Sequence, residues 1–171
     1  MISRILIAVL TMLTVVRSGS AVPADVWVVR EDGVGPVKTG MSLRQLNAAL
    51  HERFAMPEAK EDRGCFYVTS TKHPVVSFMI EGGVVVRVDV DGAGVSTVEG
   101  IQVGDSEARA RRVYGPSLKV EPHAYTGLEG HYLTVRSTSG EFGIRFETNK
   151  GMIESFYAGQ FKAIQYIEGC S

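Results

Sequence analysis

A repeated pattern begins with the stretch Gly40-Met-Ser-Leu-Arg-Gln-Leu-Asn-Ala-Ala-Leu50 and returns 64 residues later as Gly104-Asp-Ser-Glu-Ala-Arg-Ala-Arg-Arg-Val-Tyr114. In both stretches a glycine is followed two residues later by a serine, and apolar side chains then recur at helical spacing. Ser42 and Gln45 match the capping box, in which two side chains satisfy free N–H groups at a helix start. Each stretch therefore predicts one short amphipathic helix.

Two predicted β-hairpins follow the helices and align with each other at an offset of 68 residues. The first hairpin comprises residues 76–80 and 83–90, and the second comprises 144–148 and 151–158, each with turn residues between its strands. Further β-rich runs at residues 65–69 and 132–135 precede the hairpins. We therefore predict an α+β fold of two tandem repeats, each a helix followed by a three- or four-stranded antiparallel β-meander.

One globular domain is predicted over residues 25–171, with repeat 1 at about residues 33–95 and repeat 2 at about residues 98–168. One more strand is predicted at Asp25–Val29, and either another strand or an extension of the last hairpin strand at Phe161–Ile167. An irregular loop is predicted at Glu121–Gly130.

The alternation of side chains along the predicted strands separates two faces of the sheet. One face should point toward the helices, with Val76, Phe78, Ile80, Val86, Val88, Val90, Ile144, Phe146, Met152 and Phe156. The other is mixed, with Ser77, Met79, Arg87, Asp89, Arg145, Glu147, Ser155 and Tyr157. By itself, this mixture indicates no more than a solvated sheet face, although arginine and tyrosine are also frequent in protein interfaces.

The segments that open the two repeats resemble a known architecture. Gly35-Pro-Val-Lys-Thr-Gly-Met-Ser-Leu43, Gln102-Val-Gly-Asp-Ser-Glu107 and the hairpin after each look like the tandem repeats of the β-lactamase inhibitory protein-like group. The Gly-Met-Ser opening is also similar to that of small outer-membrane assembly lipoproteins, although this chain has two copies and no lipobox cysteine. The resemblance implies a secreted module whose sheet face or loops engage another protein.

Residues 1–24 are predicted to be a signal peptide. A basic start ends at Arg4, residues 5–16 are apolar or threonine, and small residues allow cleavage after Ala21 or Ala24. The apolar run is too short for a membrane span, which needs about 20 residues. We therefore predict that the mature protein is periplasmic or secreted and has no membrane span.

Two cysteines, Cys65 and Cys170, are widely separated in the sequence. In an oxidising compartment a disulfide bond between them is the first expectation. A free catalytic thiol is the alternative, but the penultimate position of the chain is a poor place to hold a nucleophile.

Composition and motifs argue against several kinds of function. With 18 basic and 19 acidic residues, the chain has no excess of positive charge with which to bind nucleic acid. The four histidines form no His-x-x-x-His pair, and both a Cys-x-x-Cys motif and a Gly-x-Ser-x-Gly elbow are absent from the sequence. We therefore expect no metal, no cofactor and no enzymatic activity. A weak metal or pH-sensing role for His123 and His131, which flank one loop, stays open.

The predicted function is that of an inhibitor or an immunity protein that occludes the active site of a secreted or envelope hydrolase or toxin. Residues 121–131 or 91–97 would enter the partner's cleft. An envelope assembly or structural factor is the alternative, followed by a small-ligand binder or enzyme. The candidate partner-binding residues are Arg87, Asp89, His123, Tyr125, Tyr132, Arg136, Arg145 and Tyr157.

Overall fold

The computed structural model describes residues 27–170, so the predicted signal peptide lies outside the described residues. Strands make up 44% of these residues and helices 17%. The strands are β1 Val28–Arg30, β2 Gly33–Val34, β3 Val37–Lys38, β4 Cys65–Thr69, β5 Val76–Glu81, β6 Val84–Val90, β7 Ser96–Thr97, β8 Leu118–His123, β9 Gly127–Arg136, β10 Phe142–Asn149 and β11 Met152–Gln160. The α-helices are α1 Leu43–Leu50 and α2 Glu107–Tyr114, and 3-10 turns lie at Glu61–Arg63, Gly115–Ser117 and Ala163–Gln165.

The strands between residues 27 and 170 form two sheets. The main sheet has seven antiparallel strands in the order β4-β5-β6-β11-β10-β9-β8. The two predicted hairpins meet at its centre, where β6 pairs with β11 and Phe156 lies opposite Val90. The small sheet has the order β3-β2-β1-β7, and its β1 and β7 run parallel.

The predicted fold class, an α+β fold of two helix-plus-meander repeats, is wrong. The chain is mostly β, each helix has only eight residues, and the hairpins merge into one continuous sheet. The prediction included one strand of the small sheet, since the strand expected at Asp25–Val29 overlaps β1 at residues 28–29, but it missed β2, β3 and β7. These three strands have two residues each, which is too short to show a period in the sequence, and β7 is held to β1 by tertiary pairings such as Val29 with Thr97.

Both predicted helix starts are confirmed. Ser42 and Gln45 form the capping box, and the Ser106 side chain accepts a hydrogen bond from the N–H of Arg109. Each helix start is also hydrogen-bonded to the hairpin of the same half of the chain. The Gly40 N–H donates to Val85 O at 2.7 Å, and the Gly104 N–H donates to Ile153 O at 2.9 Å.

One face of the main sheet packs against the helices and the small sheet to form the core, in which Phe78, Phe146 and Phe156 are fully buried. Bulges interrupt the register after Met79 and after Glu147. A one-residue shift in strand register moves each later side chain to the opposite face of the sheet. Val85 and Ile153 therefore enter the core in place of Val86 and Met152. The predictions that Val86 and Met152 face the helices are therefore wrong: Val86 packs with Met79 and Ala163, and Met152 is exposed.

The last described residues, 161–170, cross the opposite face of the main sheet, and we call them the C-terminal strap. The strap turns through Ala163–Gln165 and is not a strand, so the strand predicted at Phe161–Ile167 is wrong. Ile164 is fully buried because it packs down onto the sheet. The predicted disulfide bond between Cys65 and Cys170 is confirmed and fixes the end of the strap to β4. No helix within residues 27–170 is long and apolar enough to cross a membrane.

Candidate functional site

An ion pair lies on the face of the main sheet that was predicted to carry both polar and apolar side chains. Arg87 and Asp89 are two residues apart on β6, so both side chains point to this face. The guanidinium donates to both carboxylate oxygens of Asp89 at 2.7 Å and to the Tyr67 hydroxyl at 2.6 Å. Burial raises the pKa of the Asp89 carboxyl, although its hydrogen bonds with Arg87 oppose this effect. Burial, together with the negative charge of Asp89, also raises the pKa of the Tyr67 hydroxyl to about 12.

Arginine and aromatic side chains alternate from this ion pair across the sheet. The Arg87 guanidinium carbon lies 4.3 Å from the ring centre of Tyr157, and that of Arg145 lies 4.3 Å from the ring centre of Tyr132. The His123 ring then stacks on Tyr132 at 4.5 Å. These contacts have the geometry of cation–π and stacking interactions. We call the set the arginine–tyrosine row: Tyr67, Arg87, Tyr157, Arg145, Tyr132 and His123.

Most of the arginine–tyrosine row is buried rather than solvated. Arg87, Tyr132, Arg145 and Tyr157 are each at most 6% exposed. Arg87 donates to the carbonyl oxygens of Ala163 and Tyr166, and Arg145 donates to that of Ile164. With the strap in place, the two arginines therefore bind the protein's own main chain.

Beyond the strap the same face is open. A depression of about 290 Å³ is lined by Asp89, Asp91, Glu147 and Ser155, with Tyr67 and Tyr157 beside them. Glu147 accepts a hydrogen bond from the Tyr157 hydroxyl at 2.9 Å, and the His123 ring lies 3.4 Å from its other oxygen. Three of the predicted residues, Arg87, Asp89 and Tyr157, thus line this accessible depression.

Arg136 does not join the other candidate residues. Its guanidinium lies over the ring of Phe161 at 4.1 Å and donates to Gly140 O at 2.9 Å. The contact with Phe161 holds the beginning of the strap against β9, whereas the hydrogen bond to Gly140 spans the turn between β9 and β10.

The β8–β9 hairpin carries the most exposed apolar side chains of this region. The prediction of an irregular loop over residues 121–130 is wrong, because β8 extends to His123 and β9 begins at Gly127. Between these strands the register jumps, and residues 128–130 bulge outward. Leu128 is 98% exposed on this bulge and Tyr125 is 66% exposed at the turn.

Beside this hairpin lies a groove of about 530 Å³, which we call the α2 groove. It is lined by Glu107, Ala108, Arg111, Leu128, Glu129, His131, Lys150 and Gly151. The carboxylate of Glu107 forms its floor and accepts hydrogen bonds from Arg111 and from the Thr148 hydroxyl, while His131 Nδ1 lies 3.0 Å away. Burial alone would raise the pKa of Glu107, but these hydrogen bonds outweigh burial and lower it.

Sequence reasoning missed several residues of these two surfaces. Tyr67 lies in a predicted strand, and its contact with Arg87 depends on strand order, which the sequence does not reveal. Glu107 lies in the first turn of α2, where an acidic side chain is favourable for the helix alone, so the sequence gives no signal of the groove. For Leu128, an apolar residue within a polar stretch ending at Gly130 was a usable signal, and it was overlooked.

Within residues 27–170, no three His, Cys, Asp or Glu side chains are placed to hold a metal ion. The chain was also compared with models of protein families, with curated proteins and with solved structures, and none of them matches.

Proposed function

We propose that this chain is an exported protein-binding module that inhibits a secreted or envelope hydrolase or toxin by occluding its active site. The observation that carries the proposal is the exposure of Leu128, 98%, on the bulge of the β8–β9 hairpin, with Tyr125 exposed at the adjacent turn. When a partner fully buries an exposed leucine side chain, the burial contributes about 1.5–3 kcal/mol of favourable binding free energy. Tyrosine is a frequent anchor in protein interfaces.

The hairpin is held in position, which reduces the entropy lost on binding. The Tyr125 hydroxyl donates to Glu168 of the strap, and His123 Nδ1 accepts from the N–H of Tyr125. On the other side of the bulge, the Lys150 N–H donates to Glu129 O at 2.7 Å. A hairpin braced in this way can enter a cleft without first having to be ordered.

Several ionisable groups of the arginine–tyrosine row and the α2 groove are already committed to internal contacts. Arg87 is paired with Asp89, Arg145 with Glu121, and Arg111 with Glu107. Groups used in this way stabilise the framework and are poorly placed for proton transfer or nucleophilic attack. This arrangement favours binding over catalysis.

Export is supported by two features. Disulfide bonds form and persist in oxidising compartments, and Cys65 is bonded to Cys170. Residues 1–24 also have the sequence pattern of a secretory signal peptide. A periplasmic or secreted location would place the protein where wall-degrading enzymes and toxins act.

Capture from envelope and secreted fractions with a tagged, exported protein tests the proposal. Three proteins are compared: wild type, Leu128→Ser, and Val98→Ser as a control that changes another exposed apolar residue, 63% exposed and distant in sequence. We expect wild type and Val98→Ser to recover a hydrolase or toxin in stoichiometric amounts and to inhibit it. Leu128→Ser should bind at least about tenfold more weakly, which corresponds to 1.4 kcal/mol.

Two results would contradict the proposal. One is the recovery of no stoichiometric protein partner. The other is equal capture by wild type and Leu128→Ser. Association with membrane fractions alone would instead point to an envelope assembly factor.

A further inference from the structure

We propose that strand β4 pairs edge to edge with β4 of a second copy of this chain, so that two main sheets join into one. Strand β4 is one edge strand of the main sheet, and β8 is the other. An edge strand presents main-chain N–H and C=O groups that can pair with another strand. The pairing is independent of the proposed function, because it uses the edge opposite the β8–β9 hairpin.

Two hydrogen bonds show which residues of β4 face β5. Immediately before β4, the Gly82 N–H donates to Gly64 O at 3.0 Å, and immediately after it the Ser70 N–H donates to Val76 O at 3.0 Å. The pairing of β4 with β5 has no bulge. Because hydrogen bonding alternates along an antiparallel strand, the even-numbered residues of β4 bond to β5 and the odd-numbered residues point away from it.

The outward residues are Cys65, Tyr67 and Thr69. Among residues 27–170, no other strand pairs with their main-chain groups. The loop that precedes β4 binds to itself instead, since the Arg63 side chain donates to Pro57 O at 2.9 Å. Tyr67 and Thr69 are also exposed. The outer edge of β4 is therefore open along its length.

The composition of β4 lacks the features that usually protect an edge strand. Its sequence, Cys65-Phe-Tyr-Val-Thr69, has no proline, no glycine and no charged residue. Edge strands are commonly protected by charged side chains or by proline. The opposite edge, β8, has both: Pro122 has no N–H to donate, and Lys119 and Glu121 are charged. One edge of the main sheet is thus protected, and the other is able to pair.

A second β4 strand matches this edge in one register. When two copies run antiparallel with Tyr67 on the two-fold axis, Cys65 lies opposite Thr69, and all outward residues exchange about six hydrogen bonds. On the core face of the sheet, Phe66 of each copy then lies opposite Val68 of the other, an aromatic and β-branched pair that stabilises sheets. A shift by two residues leaves an outward residue of each copy unmatched. Because β4 is uncharged, no like charges oppose the pairing.

The length of β4 indicates how strong the association should be. A strand of five residues forms a small interface, whereas permanent dimers bury larger areas. We therefore expect a reversible dimer that forms at high protein concentration. Because β8 lies at the far edge of each sheet, the dimer leaves both β8–β9 hairpins free, one at each end of the joined sheet.

Analytical ultracentrifugation of the exported, disulfide-bonded protein between about 10 µM and about 1 mM tests this inference. We expect the wild type to shift from monomer to dimer over this range. Thr69→Pro removes one outward N–H, a change that an edge strand tolerates, and should weaken dimerisation at least about tenfold. Thr138→Pro is the matched control and should dimerise like the wild type. Thr138 is exposed in a turn closed by the Gly140 N–H and Ser137 O, where proline fits.

Hydrogen exchange in the wild type provides a second measurement that needs no variant. The amides of Tyr67 and Thr69 should exchange more slowly in the concentrated protein, where they are bonded to the second copy. The amide of Val68 should change less, because it is already bonded to β5. Leu128→Ser, at the opposite side of the sheet, should dimerise normally.

Four results would overturn the inference. The first is a wild-type protein that stays monomeric at about 1 mM, which would leave the edge of β4 to a strand from another protein. The second is equal dimerisation of Thr69→Pro and the wild type. The third is a dimer in which exchange at Tyr67 and Thr69 is unchanged. The fourth is loss of the dimer in Leu128→Ser, which would place the interface at the hairpin.

Discussion

The Arg87 guanidinium and the Asp89 carboxylate meet through two hydrogen bonds of 2.7 Å, although the two residues belong to the same strand. Because they are separated by one residue, they share a face, and the pair forms without any partner strand. Arg87 then joins the pair to distant parts of the chain: it donates to Tyr67 on β4 and to two carbonyl oxygens of the strap. One arginine thus connects the centre of the sheet to its edge and to the C-terminus.

Replacing Arg87 should destabilise the protein strongly. In Arg87→Leu, Asp89 keeps a largely buried carboxylate without its cation, and the strap loses two hydrogen bonds. We expect the free energy of unfolding to fall by about 3 kcal/mol, measured by urea denaturation. The double variant Arg87→Leu/Asp89→Leu removes the unpaired charge and should recover part of the loss. A single variant as stable as the wild type would show that the pair contributes little.

The disulfide bond should contribute a large part of the stability of the fold. Cys65 and Cys170 are 105 residues apart in the sequence. Closing a loop of this length lowers the entropy of the unfolded chain, which raises its free energy by about 4.7 kcal/mol. We expect reduction to lower the urea midpoint accordingly and to increase hydrogen exchange first in residues 161–170. Cys65→Ser/Cys170→Ser should resemble the reduced protein and should not respond to reductant. An unchanged midpoint on reduction would refute this prediction.

The hydrogen bonds to Glu107 should make stability depend on pH. They lower the pKa of Glu107 below that of the unfolded chain, so the ionised carboxylate stabilises the fold at neutral pH. This contribution is lost as the pH falls from about 4.5 through the lowered pKa of the folded protein. We expect Glu107→Gln to cost about 1–3 kcal/mol at neutral pH and to differ little from the wild type in acid. Glu58→Gln, at an exposed site, is the control and should show no such difference.

Exchanging residues between the two hairpin turns should have opposite effects on stability. Lys150→Gly places glycine at a φ of +50° and should raise the free energy of unfolding by up to about 1 kcal/mol, because glycine's own entropic cost offsets part of the gain. Gly82→Lys should lower the free energy by about 1–2 kcal/mol. Thermal denaturation measures both. A destabilised Lys150→Gly would mean that the lysine side chain stabilises the turn through contacts of its own.

Local patterns in the sequence predicted several elements correctly, since their causes are local. The helix starts follow from Ser42, Gln45 and Ser106, whose side chains satisfy backbone groups three residues away. Two glycines at residues 82 and 83 favour the turn of the first hairpin. The bulges could not be predicted in the same way, because they depend on how the paired strands twist against the core.

The candidate site was predicted only in part. Strand alternation correctly placed Arg87, Asp89, Arg145 and Tyr157 on one face. It could not show that a segment near the C-terminus would cover that face, because this depends on contacts such as Arg145 with Ile164. For the same reason Leu128, on a bulge without periodicity, was not among the candidates.

Sequence patterns were enough to predict the two helix starts, the hairpin turns, the two faces of the strands away from the bulges, and the pairing of the two cysteines. The first three features depend on residues that are close together in the chain, and the fourth follows from the presence of two cysteines. Three features appear only in the tertiary structure: β6 and β11 join the hairpins into one sheet, the strap covers Arg87 and Arg145, and the Leu128 side chain is exposed to solvent. The physical reason is that strand order, coverage and exposure depend on contacts between residues far apart in sequence, for which no local spacing gives a signal.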